Sequence, residues 1–123
     1  MQETWRPIPG YETDYSVSTH GRIRSQRRGR IKILKPIFEK WNGYFIVTLY
    51  DKNGKSRKER ISRLVALAFI PNPHALPEVN HKDEDKTNNN VDNLEWCTHA
   101  YNSTYGTSRQ RAVQTRYGKA SCQ

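Results

Sequence analysis

Apolar positions follow a helical spacing in one part of the chain, residues 59–69. The apolar residues of this stretch lie at i, i+3, i+4, i+7 and i+8 and are Ile61, Leu64, Val65, Ala68 and Phe69. This spacing places them on one face of an amphipathic α-helix. Pro71 and Pro73 follow, and proline does not continue a helix because it lacks a backbone N–H. The pattern therefore predicts a helix over residues 59–69 and a Pro-rich connection after it.

Upstream of this helix, apolar and polar positions alternate as they do in β-strands. Residues 15–18 and 22–25 form two such segments on either side of Gly21. Residues 44–50 form the most regular one, because they are rich in β-branched and aromatic side chains. The alternation predicts three strands in the first half of the chain.

Isoleucines continue the alternation between these segments, and they are Ile31, Ile33 and Ile37. A period of two is expected to place them on the core side of a strand, with Arg30 and Lys32 on the other side. Residues 42–43, Asn-Gly, are a hairpin signal, and residues 51–54 form a second turn. We therefore predict one small antiparallel sheet over residues 15–50 with one cationic face.

The part of the chain after the helix predicts two short strands and a second helix. Residues 77–81 and 94–97 have the strand pattern, and residues 82–93 between them form a polar loop. Thr98 is a suitable N-cap for a helix of about two turns over residues 99–105. The predicted fold class is thus α+β, with a basic N-terminal antiparallel sheet, a linking helix and a strand–strand–helix unit.

Composition excludes several classes of protein. The chain has 123 residues, 34% of them hydrophobic, and no apolar run approaches the roughly 18 residues of a membrane span. The first residues are polar and do not predict a secretory signal. Cys97 and Cys122 are too far apart for a zinc knuckle and too few for a disulfide framework. Two reduced thiols suit a cytoplasmic location.

The charge balance indicates a polyanionic partner. Lys and Arg number 21 against 12 Asp and Glu, which gives a formal net charge of +9. Seven basic side chains fall within residues 22–35 without an acidic one: Arg22, Arg24, Arg27, Arg28, Arg30, Lys32 and Lys35. Such a cluster suits contact with DNA phosphates, and a solvated surface is the alternative. Interleaved Tyr and Arg leave an RNA-binding module as a weaker alternative.

The densest unusual stretch is residues 79–102, which holds six asparagines and two histidines. Asn and Asp favour turns because their side chains bond to nearby backbone, and we assign residues 88–90 to a turn on that ground. Asn80 and His81 instead follow an apolar residue at a strand end. Asn102 lies inside a predicted helix, where Asn is a poor former. These three are therefore candidates for chemistry.

The same stretch resembles the HNH endonucleases, in particular those encoded by phages and introns as homing endonucleases. The resemblance rests on Val-Asn-His at residues 79–81, Asn-Leu-Glu-Trp-Cys-Thr at residues 93–98, and the final Asn102. Residues 63–73 resemble the helix and Pro-rich connection of that branch. Trp-Arg-Pro-Ile-Pro-Gly-Tyr and the Tyr-Ser-Val-Ser segment upstream resemble a small DNA-holding domain often fused to such nucleases.

The resemblance implies a ββα-metal fold that holds one divalent cation. It implies that His81 is the general base that activates water, and that Asn80 and Asn102 hold the metal through their side-chain oxygens. Oxygen ligands favour Mg²⁺ or Mn²⁺ over zinc. It also implies that Asn93 braces the hairpin loop so that His81 points at the phosphate. The products would be a 5′-phosphate and a 3′-hydroxyl.

Three positions depart from the family pattern. Asn80 stands where many relatives have Asp, Asn102 stands at the family's name-giving His, and Ser62 stands where relatives often have His. Both proposed metal ligands are therefore neutral. Asp83, Glu84 and Asp85 are near in sequence, and we expect them to face water.

Other side chains in the stretch have simpler interpretations. His99 lies three residues before Asn102 and is assigned a surface or capping role, with contact to a phosphate as the alternative. Trp96 and Cys97 are expected in the core.

The sequence thus predicts four regions. Residues 1–58 form a basic β-sheet region that contacts DNA, residues 59–76 form the linking helix and Pro-rich connection, residues 77–106 form the HNH nuclease motif, and residues 107–123 form a basic tail. The expected protein is a monomeric endonuclease of double-stranded DNA that uses one Mg²⁺ or Mn²⁺ and needs no other cofactor and no membrane. The alternative is a catalytically silent DNA-binding protein on the same scaffold.

Overall fold

Within residues 2–105 the fold consists of three small antiparallel sheets and two α-helices. The computed structural model describes residues 2–105, and the predicted tail of residues 107–123 lies outside them. The first sheet has the strand order β1 (Trp5–Pro7), β2 (Tyr15–Ser18), β3 (Ile23–Ser25) and β4 (Lys32–Leu34). The second sheet contains β5 (Ile37–Glu39), β6 (Tyr44–Tyr50) and β7 (Ser56–Arg60), and the third contains β8 (Glu78–His81) and β9 (Leu94–Cys97). The helices are α1 (Ile61–Phe69) and α2 (His99–Thr104).

Helix α1 lies at the centre of the core because strands of all three sheets pack against it. Its predicted apolar face is buried at Ile61, Leu64 and Val65. Leu49 of β6 and Trp96 of β9 belong to the same buried cluster. The Trp96 indole N–H also donates to the backbone carbonyl of residue 70 at 3.0 Å, so the predicted core position of this tryptophan is confirmed.

The predicted single sheet over residues 15–50 is wrong, since two sheets occupy this range and its flanks. The chain leaves the first sheet after Leu34 and enters the second at Ile37. Pro36 lies between them and has no backbone N–H to continue a strand ladder. Strands β1 and β7 were also not predicted. Strand β7 consists of polar residues that are exposed or half-buried, so it has no apolar alternation to reveal it.

The prediction that the three isoleucines face the core is wrong. Ile31, Ile33 and Ile37 are 76%, 46% and 49% exposed. In the register of β3 and β4, buried Ile23 lies opposite Leu34, and Leu34 packs against the core instead. Because side chains alternate between the two faces of a strand, a shift of one residue turns every side chain of the pattern to the other face.

The seven basic residues do not form one uniform strip. Arg22 is paired with the carboxylate of Glu3, and the Arg24 guanidinium lies 4.4 Å from the centre of the Trp5 ring. Arg27 lies over the ring of Tyr50 at 5.2 Å. The other four are exposed to solvent: Arg28, Arg30, Lys32 and Lys35. These four have neither an ion pair with a carboxylate nor a ring contact among the described residues, and we call them the basic hairpin.

The ion pair between Arg22 and Glu3 should make the stability of the fold depend on pH in the acidic range. The Arg22 guanidinium, helped by the Ser18 hydroxyl, lowers the pKa of Glu3 from 4.5 to about 2. A lowered pKa in the folded state means that the pair stabilises the fold above about pH 4.5 and that this contribution is lost as the pH falls towards 2. Glu3→Gln should lower the free energy of unfolding at pH 7 by less than about 1 kcal/mol, since the pair is partly solvated.

Urea unfolding at pH 7 and at pH 2.5 measures this effect. The difference between wild type and Glu3→Gln should shrink at the lower pH. Asp92→Asn removes an exposed carboxylate from a different part of the fold and serves as the control. An equal pH dependence of both variants would contradict the assignment to the Arg22 pair.

No helix within residues 2–105 is long and apolar enough to cross a membrane.

Candidate functional site

The candidate residues Asn80, His81 and Asn102 line one pocket of about 180 Å³. Asn80 and His81 are the last two residues of β8. Asn102 reaches the pocket from α2, which begins directly after β9 because the Thr98 hydroxyl accepts a hydrogen bond from the Tyr101 N–H at 3.1 Å. The cap thus confirms the predicted helix start and sets Asn102 one turn into the helix.

Two carboxylates fix the orientation of the two amide side chains. The Asn80 amide nitrogen donates to Glu95 at 2.7 Å, and the Asn102 amide nitrogen donates to Glu78 at 3.4 Å. A carboxylate only accepts, so the nitrogen end of each amide must face it. Each Oδ1 atom is then the end of the amide that remains to bind a cation.

The predicted metal ligands at the pocket, Asn80 and Asn102, offer amide oxygens. Within residues 2–105 no group of three or more His, Cys, Asp or Glu side chains is arranged to hold a metal ion. Amide oxygens are hard ligands of the kind that Mg²⁺ and Mn²⁺ accept and zinc sites rarely use. The residues present therefore fit a weakly held Mg²⁺ or Mn²⁺ better than a structural zinc ion.

His81 is almost fully buried at the end of β8. Its Nε2 atom lies 2.9 Å from the Asn89 side-chain oxygen, and its ring centre lies 6.1 Å from that of Tyr44. Burial lowers the pKa of His81 below the usual 6.5, against the opposing effects of Asn89 and the nearby Asp83 and Asp85. The imidazole is consequently neutral at pH 7, which is the form that accepts a proton.

Asn93 closes the loop that follows His81. Its amide nitrogen donates to the Asp83 carboxylate and to the Asn88 carbonyl, both at 2.9 Å. Its side-chain oxygen accepts from the Asp83 N–H at 3.0 Å. Asn93 therefore bonds to both arms of the loop, as a brace would, and its catalytic importance stays a prediction.

The three acidic residues of the loop differ in their surroundings. Asp83 and Asp85 are exposed, and side-chain and backbone hydrogen bonds within the loop lower the pKa of both. Glu84 is also exposed but lines the pocket. It adopts a left-handed backbone conformation with φ of +67°, which is unusual for a residue with a side chain. All three are thus exposed to solvent, as expected, and Glu84 also borders the pocket.

The second sheet contributes side chains that the sequence analysis missed. Tyr44, from β6, lines the pocket together with Lys86 and Tyr105. The Lys86 ammonium lies 4.8 Å from the Tyr44 ring centre and donates to the Asn42 carbonyl at 2.9 Å. Arg60 lies over the same ring at 4.0 Å. No local pattern reveals these positions, because they meet the pocket only through tertiary packing.

The remaining candidate and family positions lie at the edge of the site or in the core. His99 is 83% exposed at the start of α2, with its ring 4.0 Å from the Glu78 carboxylate. Contact between His99 and a phosphate stays a prediction. Ser62, at the position where relatives often have His, is buried in α1. Cys97 is buried, as expected.

Two family models match this chain in adjacent segments. Residues 3–50 match the NUMOD4 motif, and residues 61–104 match an HNH endonuclease domain. The residues between the two matches, 51–60, form the turn after β6 and strand β7, directly before α1.

Known relatives match over most of the chain. The chain is 38% identical over 105 residues to the DNA endonuclease I-HmuI of Bacillus phage SP01. The aligned segment covers 85% of this chain and 58% of that protein. The chain is 37% identical over 102 residues to an uncharacterized HNH endonuclease of Acanthamoeba polyphaga mimivirus. That alignment covers 83% of this chain and 30% of that protein. The matched part of the chain therefore spans between 30% and 58% of the length of these relatives.

A solved structure of the HNH homing endonuclease I-HmuI, determined for its DNA binding and cleavage, has the same fold. It superposes with a TM-score of 0.70 at 33% sequence identity and covers 91% of this chain and 66% of the I-HmuI chain. The α+β arrangement predicted from the sequence is confirmed by this match.

Proposed function

Because residues 61–104 of this chain belong to the HNH endonuclease family and follow a NUMOD4 motif, we propose that the protein is a metal-dependent DNA endonuclease of the homing type. The observation that carries the proposal is the meeting of Asn80, His81 and Asn102 in one pocket. They come from β8 and α2, which are separated in the chain by a polar loop and strand β9, so their meeting is a property of the fold rather than of the sequence alone.

Asn80 and Asn102 would hold one Mg²⁺ or Mn²⁺ through their Oδ1 atoms. Their nitrogen ends are engaged by Glu95 and Glu78, so the oxygens need no reorientation to serve as ligands. When bound, the cation would stabilise the charge that develops on the scissile phosphate and the leaving 3′ oxygen. Glu84 lines the same pocket and adds a negative charge there.

His81 would act as the general base of the hydrolysis. Its buried, neutral imidazole accepts the proton of a water molecule as that water attacks the phosphorus atom. The bond between phosphorus and the 3′ oxygen breaks, and this oxygen takes up a proton from solvent water, which leaves a 5′-phosphate and a 3′-hydroxyl. Asn93 supports this role, since it braces the loop that leaves His81.

Double-stranded DNA is the proposed substrate. The basic hairpin supplies exposed cations that suit phosphate contacts. Lys86 at the pocket is a further cation within reach of a bound phosphate. One site in one chain cuts one strand at a time, so we expect a monomer to nick DNA.

Incubation of the protein with supercoiled plasmid and Mg²⁺ or Mn²⁺ tests the proposal. We expect conversion to the nicked form, and none in EDTA. Retained DNA binding without cleavage under either metal would support the silent DNA-binding protein instead.

The neutral ligand pair makes a prediction about metal affinity. Asn80→Asp should tighten binding of Mn²⁺ to the free protein by about tenfold or more, because it places an ionised oxygen beside a divalent cation. In the wild type neither proposed ligand is charged, and a DNA phosphate would add negative charge beyond that of Glu84, so Mn²⁺ and DNA should each raise the affinity of the other. The effect on the cleavage rate is separate, since tighter ground-state binding does not by itself stabilise the transition state.

Calorimetric titration of Mn²⁺ into the free protein and into its complex with a non-hydrolysable duplex measures both effects. Asn90→Asp introduces the same charge at an exposed position of the neighbouring loop and is the control. Equal gains in the two variants would show that net charge, rather than a ligand position, sets the affinity.

A further inference from the structure

Asn89 is the buried polar partner of His81. Only 7% of its surface is exposed, although the residues before and after it in the Asn-Asn-Asn run are half-buried and exposed. Its side-chain oxygen lies 2.9 Å from His81 Nε2. An amide oxygen has no hydrogen to donate, so Nε2 must carry the hydrogen of the bond. In the neutral ring the lone pair then resides on Nδ1.

A turn of the first sheet holds Asn89 in place. Gly21 has a left-handed φ of +81°, and a Cβ atom there would lie 2.8 Å from the Asn89 Cβ and 2.9 Å from the Asn89 carbonyl oxygen. Such distances are too short for real atoms, so only glycine permits this approach. Two residues further along the loop, the Val91 N–H donates to the Thr19 carbonyl at 2.9 Å. The turn of residues 19–21 thus contacts the loop at Asn89 itself and at Val91.

We propose that Asn89, held by the turn of residues 19–21, is a positioning residue that fixes the His81 ring with Nε2 bonded to the loop and Nδ1 as its proton-accepting atom. The effect of Asn89 on catalysis rests on the proposed endonuclease function. Its effect on the orientation of the His81 ring does not depend on that function. The N-terminal motif then has a second role besides contact with DNA, because it completes the environment of the catalytic histidine.

Substitutions at Asn89 test the first part. Asn89→Leu keeps a similar volume but has no acceptor, whereas Asn89→Asp keeps one. Asn90→Leu places the same apolar side chain at the exposed neighbour and is the matched control. A long-range proton–nitrogen NMR spectrum identifies the ring nitrogen of His81 that carries hydrogen and shows whether this hydrogen exchanges slowly.

We expect a slowly exchanging Nε2–H in the wild type, in Asn89→Asp and in Asn90→Leu, and its loss in Asn89→Leu. The kcat of Asn89→Leu should fall by about 10- to 100-fold, as for other groups that orient an active-site imidazole, with little change in KM for DNA. Asn89→Asp should restore most of kcat. An unchanged Nε2–H in Asn89→Leu would overturn the proposal, as would equal losses of kcat in Asn89→Leu and Asn90→Leu.

Substitutions at Gly21 test the second part. Gly21→Ala and Gly21→Asn place a Cβ against Asn89, and Asn tolerates the left-handed conformation if Ala does not fold. Gly10 has a similar φ of +88° with no atom within 4 Å of a built Cβ, so the same two changes at Gly10 control for backbone strain. We expect the Gly21 variants, and not the Gly10 variants, to lose the protected Nε2–H and the same fraction of kcat as Asn89→Leu.

The double variant that combines Gly21→Asn with Asn89→Leu shows whether the turn affects cleavage through Asn89 or independently of it. If the turn acts through Asn89, the double variant should be no slower than Asn89→Leu alone. Full additivity would overturn the role of the turn. A wild-type protein that shows the protected Nε2–H but cleaves no DNA would refute the endonuclease function and leave the positioning of His81 intact.

Discussion

The His81→Ala variant is expected to cleave DNA at least about 100-fold more slowly than the wild type, which is the lower range for loss of a general base. The reason is local: the imidazole is buried and neutral, and it lines the same pocket as the two amide oxygens. Affinity for DNA should change little, because His81 is too buried to make a large share of the phosphate contacts. Single-turnover cleavage rates and gel-shift titrations measure the two quantities separately.

His99→Ala provides the matched control for this experiment. His99 lies three residues before Asn102 on α2 but is 83% exposed, so its loss removes an imidazole near the site without emptying the pocket. We expect its cleavage rate to stay close to that of the wild type. A rate for His81→Ala that equals the rate for His99→Ala would refute the assignment of the base.

The second large effect is expected on DNA binding, from simultaneous replacement of Arg28, Arg30 and Lys32 by Ala. These members of the basic hairpin are exposed, whereas Arg22, Arg24 and Arg27 are held by Glu3 and aromatic rings. Each lost phosphate contact lowers the slope of log K against log salt by about 0.9, so the slope should fall by nearly 3. At about 0.15 M salt this corresponds to an affinity loss on the order of 100-fold.

A second triple variant with the same loss of charge shows whether the basic hairpin binds DNA by direct contact or only through the net charge of the protein. Lys52, Lys55 and Lys58 are exposed in the turn after β6 and in β7, and their replacement by Ala removes the same net charge. We expect a smaller change of slope there. Equal slopes for both triple variants would mean that the basic hairpin acts only through the net charge of the protein.

Local signals in the sequence were sufficient for the elements that carry the proposed chemistry. The 3.6-residue spacing of Ile61, Leu64 and Val65 predicted α1, and Thr98 predicted the start of α2. Two short strands around a polar loop placed Asn80 and His81 at a strand end, and the structure confirms this position. These features depend on interactions within a few residues of the chain, which is why the sequence reveals them.

Assignments that depend on partners distant in sequence were less successful. The alternation of Ile31 and Ile33 has the correct period, but the pairing of β3 with β4 decides which phase faces the core, and Ile37 belongs to β5 in the second sheet. Asn89 was assigned to a turn with its two neighbours because all three have the same local propensity. The approach of Gly21, 68 positions earlier in the chain, is what distinguishes Asn89 from them.

The sequence by itself therefore determined the order of the elements around the site, the excess of positive charge and the presence of an Asn–His motif, since each follows from the identity and spacing of neighbouring residues. The tertiary structure alone decided the division into two N-terminal sheets, the exposure of the isoleucines, and the addition of Tyr44, Lys86 and Asn89 to the site. The physical reason is that burial, register and side-chain contacts across sheets are set by packing against α1, to which all three sheets contribute.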